Sequence, residues 1–147
     1  MLTVAIASDH AGFRLKEAVK KHLARRGYRV RDFGAKSVAS VDYPVFAEKA
    51  ARFAAARRTP AVLVCGSGIG MSIAANKIRG IRAALVFTAA AARLSRRHND
   101  ANVLALSERF TTPERARKIV DAWMATPFEG GRHARRVGQI LKMEKGK

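Results

Sequence analysis

Ala61-Val-Leu-Val-Cys-Gly-Ser-Gly-Ile-Gly70 runs five apolar residues, with no polar alternation, into a turn with glycine at every second position. An apolar run of that length ending in glycine fits a strand covered on both faces, as strands of parallel sheets are. The glycines fit the tight turn by which such a strand passes into a helix. Parallel strands need crossover connections, so the rest of the chain has to alternate strand and helix.

The flanking sequence meets that demand. Thr3-Val-Ala-Ile-Ala-Ser8 is a second continuous apolar run. Leu15, Ala18, Val19 and Leu23 then recur at helical spacing between Phe13 and Arg26, and Gly27 stands where a C-cap belongs. Tyr28 to Phe33 reads as the next strand, and the Ala-rich Pro44 to Arg58 as a helix with proline in its first turn. Beyond the glycine turn, a helix runs to about Lys77, Ile81 to Phe87 reads as a strand, and Ala89 to His98 as a helix. Val103 to Leu106 is the fifth strand, Thr112-Pro-Glu114 opens a helix through Trp123, and a last helix covers about 131–144. No repeat or linker divides the chain. The expected fold is α/β: a single domain over 1–147, a three-layer α/β/α sandwich with a five-stranded parallel sheet, Rossmann-like. In such sheets ligands bind beyond the carboxyl ends of the strands.

Composition narrows the function. Hydrophobic residues at 48% against 27% charged suit a chain that buries a core. Cys65 is the one cysteine, so no intrachain disulfide forms. The apolar start Met1 to Ala7 meets Asp9 and His10 too early for a signal peptide, and no apolar stretch approaches the roughly 20 residues of a membrane span. The expectation is a cytoplasmic protein without membrane contact. Twenty-nine Lys and Arg against 11 Asp and Glu leave +18, which attracts anions, either phosphorylated metabolites or nucleic acid. The basic residues are dispersed and lack interleaved aromatics, which argues against specific nucleic-acid binding.

The strand-end rule singles out Ser8-Asp9-His10 and Cys65 to Gly70. The Gly66, Gly68, Gly70 turn could cradle an anion on its amides, or could simply be a tight connection. It is not G-x-G-x-x-G, and it lacks the lysine of a P-loop. A free cysteine ending an apolar strand is often a small buried hydrophobe; at the start of a helix it can also serve as a thiolate base. His10 and His98 are each as readily packing residues as catalysts. Arg132 and Arg136, four apart on one helical face, could clamp a phosphate or form a solvated basic surface. The histidines show neither HExxH nor cysteine-pair spacing, so no metal is expected.

Taken in order, Ser8-Asp-His-Ala-Gly12, Asp42-Tyr-Pro44, Cys65-Gly-Ser-Gly-Ile-Gly70, Ala74-Ala-Asn-Lys77, Gly80-Ile-Arg82, Leu94-Ser-Arg-Arg-His-Asn-Asp100, Asn102-Val-Leu104 and Phe128-Glu-Gly-Gly-Arg-His133 resemble the motifs of the type B ribose-5-phosphate isomerases over nearly the whole chain. The resemblance implies a cofactor-independent aldose–ketose isomerase of the pentose phosphate pathway that works through a cis-enediolate. By position it implies that Asp9 and His98 assist ring opening and that Cys65 shuttles the proton between C2 and C1. Some relatives use a glutamate where this chain has Met71. Ser67 would bond the reacting hydroxyls, and the Gly66 to Gly70 amides with Asn99 would stabilise the enediolate. His10, Arg132 and Arg136, with Arg109 as a further candidate, would hold the phosphate, and Tyr43 would line the sugar pocket. It also implies a homodimer whose sites combine both chains, the C-terminal helix (about 131–144) reaching the partner, with pairing into tetramers left open. Galactose 6-phosphate, allose 6-phosphate and erythrulose 4-phosphate are the alternative substrates, and a basic nucleic-acid-binding protein on the same fold is the distant alternative.

Overall fold

Larger aliphatic side chains alternate with alanine along the central strands, and this alternation sorts the two faces of the sheet. The computed structural model describes residues 1–146. Its five strands are β1 (Thr3–Ser8), β2 (Arg29–Asp32), β3 (Ala61–Cys65), β4 (Ala83–Leu85) and β5 (Val103–Ser107). Its α-helices are α1 (Phe13–Arg25), α2 (Tyr43–Arg57), α3 (Ile69–Ala75), α4 (Ala89–Asn99), α5 (Pro113–Ala125) and α6 (Arg132–Lys145). Val4, Ile6, Val62, Val64, Leu104 and Leu106 face one way, onto Leu15, Val19 and Leu23 of α1, Ala92 of α4, and Ile119, Val120 and Trp123 of α5. Ala5, Ala7, Ala61, Leu63 and Cys65 face the other way, onto Ala47, Ala50, Ala51 and Ala54 of α2 and Met71 and Ala75 of α3. The expected three layers are thus present.

All strands are parallel, in the order β2-β1-β3-β5-β4. From β1 the chain first moves outward to β2 and then crosses to β3 on the other side. The carboxyl ends of β1 and β3 therefore flank the switch point at which open α/β sheets bind ligands.

The fourth strand is shorter than the expected Ile81 to Phe87. Asn76 explains part of this: its Oδ1 accepts from Ala83 N–H at 2.8 Å and its Nδ2 donates to Ala83 O at 3.0 Å. Arg82 N–H goes to Asn102 Oδ1 at 2.7 Å. Side chains thus satisfy backbone groups where the strand was expected to begin, and α3 stops at Ala75, short of Lys77. The second strand is likewise trimmed to Arg29–Asp32, because Tyr28 N–H bonds back to Leu23 O at the end of α1.

One buried charge braces the segment after β2. Lys16, 1% exposed, places Nζ 2.9 Å from Asp32 Oδ1 and 2.6 Å from Ala35 O. Lys20 reaches Asp32 Oδ2 at 2.9 Å, and Gly34 N–H donates to Asp32 Oδ1 at 2.9 Å. Burial pushes the Asp32 carboxyl up, but the Gly34 amide, Lys16 and Lys20 outweigh it and hold the group below its ordinary value. The folded carboxyl therefore releases its proton more readily than the unfolded one. Its stabilisation is complete above about 3.8, the ordinary value, and is lost as acid carries the folded group through its lower pKa. Asp32→Asn should cost about 3 kcal/mol at neutral pH by stranding Lys16. In denaturant titrations the gap to the unaltered protein should narrow once the pH drops below 3.8.

Candidate active site

β1 and β3 end side by side, with Ser8 opposite Val64 in the ladder. Asp9 leaves β1 with its N–H on Val64 O at 3.3 Å, and its Oδ1 accepts from Gly12 N–H at 3.0 Å, closing a single 3-10 turn over His10–Gly12. The carboxylate is thereby held, nearly buried, one strand away from Cys65. His10 Nδ1 accepts from Val41 N–H at 3.1 Å. An accepting Nδ1 carries no proton, which leaves Nε2–H as the donor facing away from the loop.

The turn after β3 is built around the sulfur. Cys65 is buried, and its Sγ accepts from Gly68 N–H at 3.1 Å. Gly68 reaches that position at φ +79°, and Ile69 N–H bonds Ser67 Oγ at 3.1 Å. α3 spans seven residues, so its macrodipole is small and the direct amide contact supplies most of the local positive potential. The anion cradle is consequently narrower than the glycine spacing suggests, since the amides of Gly68 and Ile69 are already engaged. Gly70 and Met71, in the first turn, keep N–H groups with no intrahelical acceptor. Gly66 O is taken by Arg109 N–H at 3.0 Å and by the Ser107 hydroxyl at 2.7 Å. These bonds bring the start of the β5–α5 loop against the turn, with an Arg109 guanidinium nitrogen near Gly66. The Tyr43 ring packs on Gly70 so closely that a Cβ there would stand 2.6 Å from its Cε1. Met71 is fully buried in the core beneath the turn and offers no base.

Asp9, His10, Tyr43, Cys65, Gly66, Ser67, Gly68, Gly70 and Arg109 thus gather at the carboxyl ends of β1, β3 and β5. His98, Asn99, Arg132 and Arg136 do not join them within one chain. Cys65 pairs with Ser107 at the carboxyl end of β5, whereas His98 and Asn99 close α4 just before Val103 opens the same strand. The length of β5, about 13 Å, lies between the two levels. The backbone O of Asn99 is tied to Arg82 Nε at 3.2 Å, ahead of β4, and the Asn102 amide donates to Gly80 O at 2.7 Å. Within one chain the residues that the resemblance singles out therefore fall into two half-sites, because α4 runs back across the sheet before it delivers its last turn.

The second half-site has its own local logic. Glu129 N–H donates to Arg97 O at 3.1 Å, and His133 N–H to Gly130 O at 3.0 Å, so the start of α6 is laid against the end of α4. The His98 and His133 rings stack with centroids 4.2 Å apart and planes 11° from parallel. Burial pushes the His133 imidazole below its ordinary value, and the charges of His98, Arg132 and Arg136 push the same way against Glu129. His98, Glu129 and His133 form a possible metal-ligand trio, their donor atoms within 4.8 Å of one another. Parallel rings point their lone pairs side by side rather than at one ion, and the neighbouring guanidinium groups oppose a dication.

Sequence reasoning passed over His133, Val41 and Ser107. Val41 contributes a backbone N–H to His10 Nδ1 and Ser107 a hydroxyl to Gly66 O, contacts that no residue pattern announces; His133 stood in a quoted motif without a role. A 670 Å³ cavity lies elsewhere, lined by Arg58, Arg82, Arg96, Asp100 and Trp123, and contains none of the residues expected in the site. At Gly68 an added Cβ would stand 2.5 Å from Leu85 Cδ1 and 3.0 Å from Leu106 O, at a φ disfavoured for side chains. Gly68→Ala should lower stability by about 2 kcal/mol in thermal or chemical denaturation, and should also misplace the amide that meets the sulfur.

The sequence profile of the Ribose/Galactose Isomerase family matches residues 4–140. The ribose-5-phosphate isomerase B of Escherichia coli is 45% identical over 145 residues, covering 98% of this chain and 97% of that protein. A ribose-5-phosphate isomerase B structure from Clostridium thermocellum superposes with a TM-score of 0.97 at 47% identity, covering 99% of both chains. Another from Mycoplasma genitalium, with ribulose-5-phosphate bound, gives 0.95 at 42% identity, covering 99% of this chain and 98% of that one. With its switch-point cysteine, glycine turn and five-stranded parallel sheet, this chain belongs to the ribose/galactose isomerase family.

Proposed function

We propose that this protein interconverts ribose 5-phosphate and ribulose 5-phosphate, with Cys65 as the carbon base. The observation that carries this reading is the Gly68 amide on the Cys65 sulfur, at the switch point beside Asp9 and below the free first-turn amides of α3. The amide fixes the sulfur at the mouth of the turn, and a positioned base is what abstraction of a proton next to a carbonyl needs.

The cyclic aldose opens first. Asp9 accepts the proton of the anomeric hydroxyl, the bond from C1 to the ring oxygen breaks, and His98 supplies a proton to that oxygen. Cys65 then takes the C2 proton as the electrons move onto O1, giving a cis-enediolate. The Gly70 and Met71 amides, with Asn99, face the developing oxyanion; each such donor is worth about 3 kcal/mol. Ser67 bridges the two reacting oxygens and relays the O2 proton to O1 as the carbonyl forms at C2, and the proton on Cys65 returns to C1. His10 through Nε2–H, with Arg109, Arg132 and Arg136, holds the phosphate, and Tyr43 lines the sugar. No step requires a redox cofactor or a metal.

The reading requires two copies of the chain, because His98, Asn99, Arg132 and Arg136 lie a strand length away from Cys65. A homodimer in which α6 of one protomer reaches the glycine turn of the other supplies them. Exposed apolar side chains support it: Tyr43, Val45, Ile69 and Ile73 beside the first half-site, and Ile140 and Met143 on α6. No helix among the described residues is long and apolar enough to cross a membrane, and we propose the cytoplasm as its compartment and the pentose phosphate pathway as its setting.

Cys65→Ala should leave the fold intact, by circular dichroism, and remove at least a hundredfold of kcat on ribose 5-phosphate. A panel of four-, five- and six-carbon sugar phosphates should show this pentose preferred; strong activity on another sugar alone would reassign the substrate. Each inactive variant, Cys65→Ala or His98→Asn, contributes one intact half-site. Unfolding and refolding the two together should regenerate about a quarter of the wild-type activity, as expected when a two-fold dimer shares its sites. No recovery from the mixture would place both groups in one chain's site.

A further inference from the structure

The imidazole of His98 has an unusual neighbour. His133 is 5% exposed, its ring lies 4.2 Å from that of His98, and its Nε2 is buried with no hydrogen-bond partner. The nearest carboxylate oxygen, on Glu129, is 4.0 Å away, beyond hydrogen-bond reach. A buried histidine whose nitrogen bonds nothing contributes through its ring face. That face is aligned by main-chain bonds, Glu129 N–H to Arg97 O and His133 N–H to Gly130 O, so the stack does not depend on His133's own nitrogens.

We propose that His133 is a positioning residue: its flat, buried ring backs the imidazole of His98 and fixes the plane in which His98 meets the sugar. This rests on the reading that His98 moves the ring-opening proton. His98 is half-buried on the last turn of α4, where a side chain lacking a backing wall can turn about its rotatable bonds. Two charged imidazoles face to face repel each other; burial and the charges of His98, Arg132 and Arg136, opposed by Glu129, push the His133 imidazole below its ordinary value and so disfavour a second charge beside a proton-carrying neighbour. Misplacing a reacting group by an ångström costs about a hundredfold in rate, so the backing matters.

Ring opening and the carbon proton transfer can be read separately, because ribulose 5-phosphate, with its terminal oxygen phosphorylated, has no furanose ring to open. Exchange of its C1 proton with solvent deuterium, followed by NMR, reports Cys65 alone. His133→Ala should lower kcat on ribose 5-phosphate by about 10- to 100-fold, leave KM within about twofold, and leave C1 exchange nearly unchanged. His133→Phe, which restores the flat ring without nitrogens, should recover kcat to within about threefold of the unaltered protein. Full activity in His133→Ala overturns the proposal. So does a Phe variant as slow as the Ala variant, since nitrogen chemistry would then be at work, and so does loss of C1 exchange along with turnover in both. Retention of ribose 5-phosphate turnover by His98→Asn fails the underlying reading instead, a result separable from any behaviour of the His133 variants.

Discussion

The ladder between β1 and β3 is the constraint on which the rest of the molecule depends. It aligns Ser8 with Val64, so Asp9 and Cys65 leave neighbouring strands at one level, and the chain must turn there in two directions. Parallel pairing forces those turns to the same edge of the sheet, and the order β2-β1-β3 splays the following segments apart. A one-residue slip would point Cys65 into the face packed by α1 and α5. Alternation of side chains along β3 and the small alanines of α2 keep it on the α2 and α3 side, where the glycine turn closes over it.

Around that edge, polar side chains set the shape of the backbone. Lys16 and Asp32 hold the segment after β2, Ser8 exchanges bonds with Gly34 and Ala35, and Val41 in the same loop meets His10. The buried lysine is thus linked to the ring we assign to phosphate binding. Ser107 and Arg109 brace Gly66 from β5, and Asn76 and Asn102 hold the backbone ahead of β4. Several motif residues that carry no chemistry in this reading are therefore explained as backbone ligands.

The division into half-sites follows from crossover geometry. A helix between parallel strands has to run back across the sheet, so residues at its end lie at the amino edge while residues after the strand lie at the carboxyl edge. His98 is on the wrong edge for its own Cys65, which is why the proposed function calls for two chains. The stacked imidazoles, the Glu129 clamp and the arginines of α6 can then be understood as one module offered to a neighbouring molecule.

The apolar runs of β1, β3 and β5, the glycine turn and the helical spacing of Leu15, Val19 and Leu23 were enough to establish the parallel α/β/α architecture, because burial on two faces leaves a clear imprint on residue type. Motif order likewise carried the family. The trimming of the fourth strand by Asn76, the diversion of the Gly68 amide to sulfur, the tautomer of His10 and the stacking of His98 on His133 were decided by tertiary structure alone. Each is a contact between residues, or between a side chain and a backbone group, whose existence depends on distance and orientation in space. Residue type sets what a group can donate or accept; only the folded geometry determines which partner comes within about 3 Å.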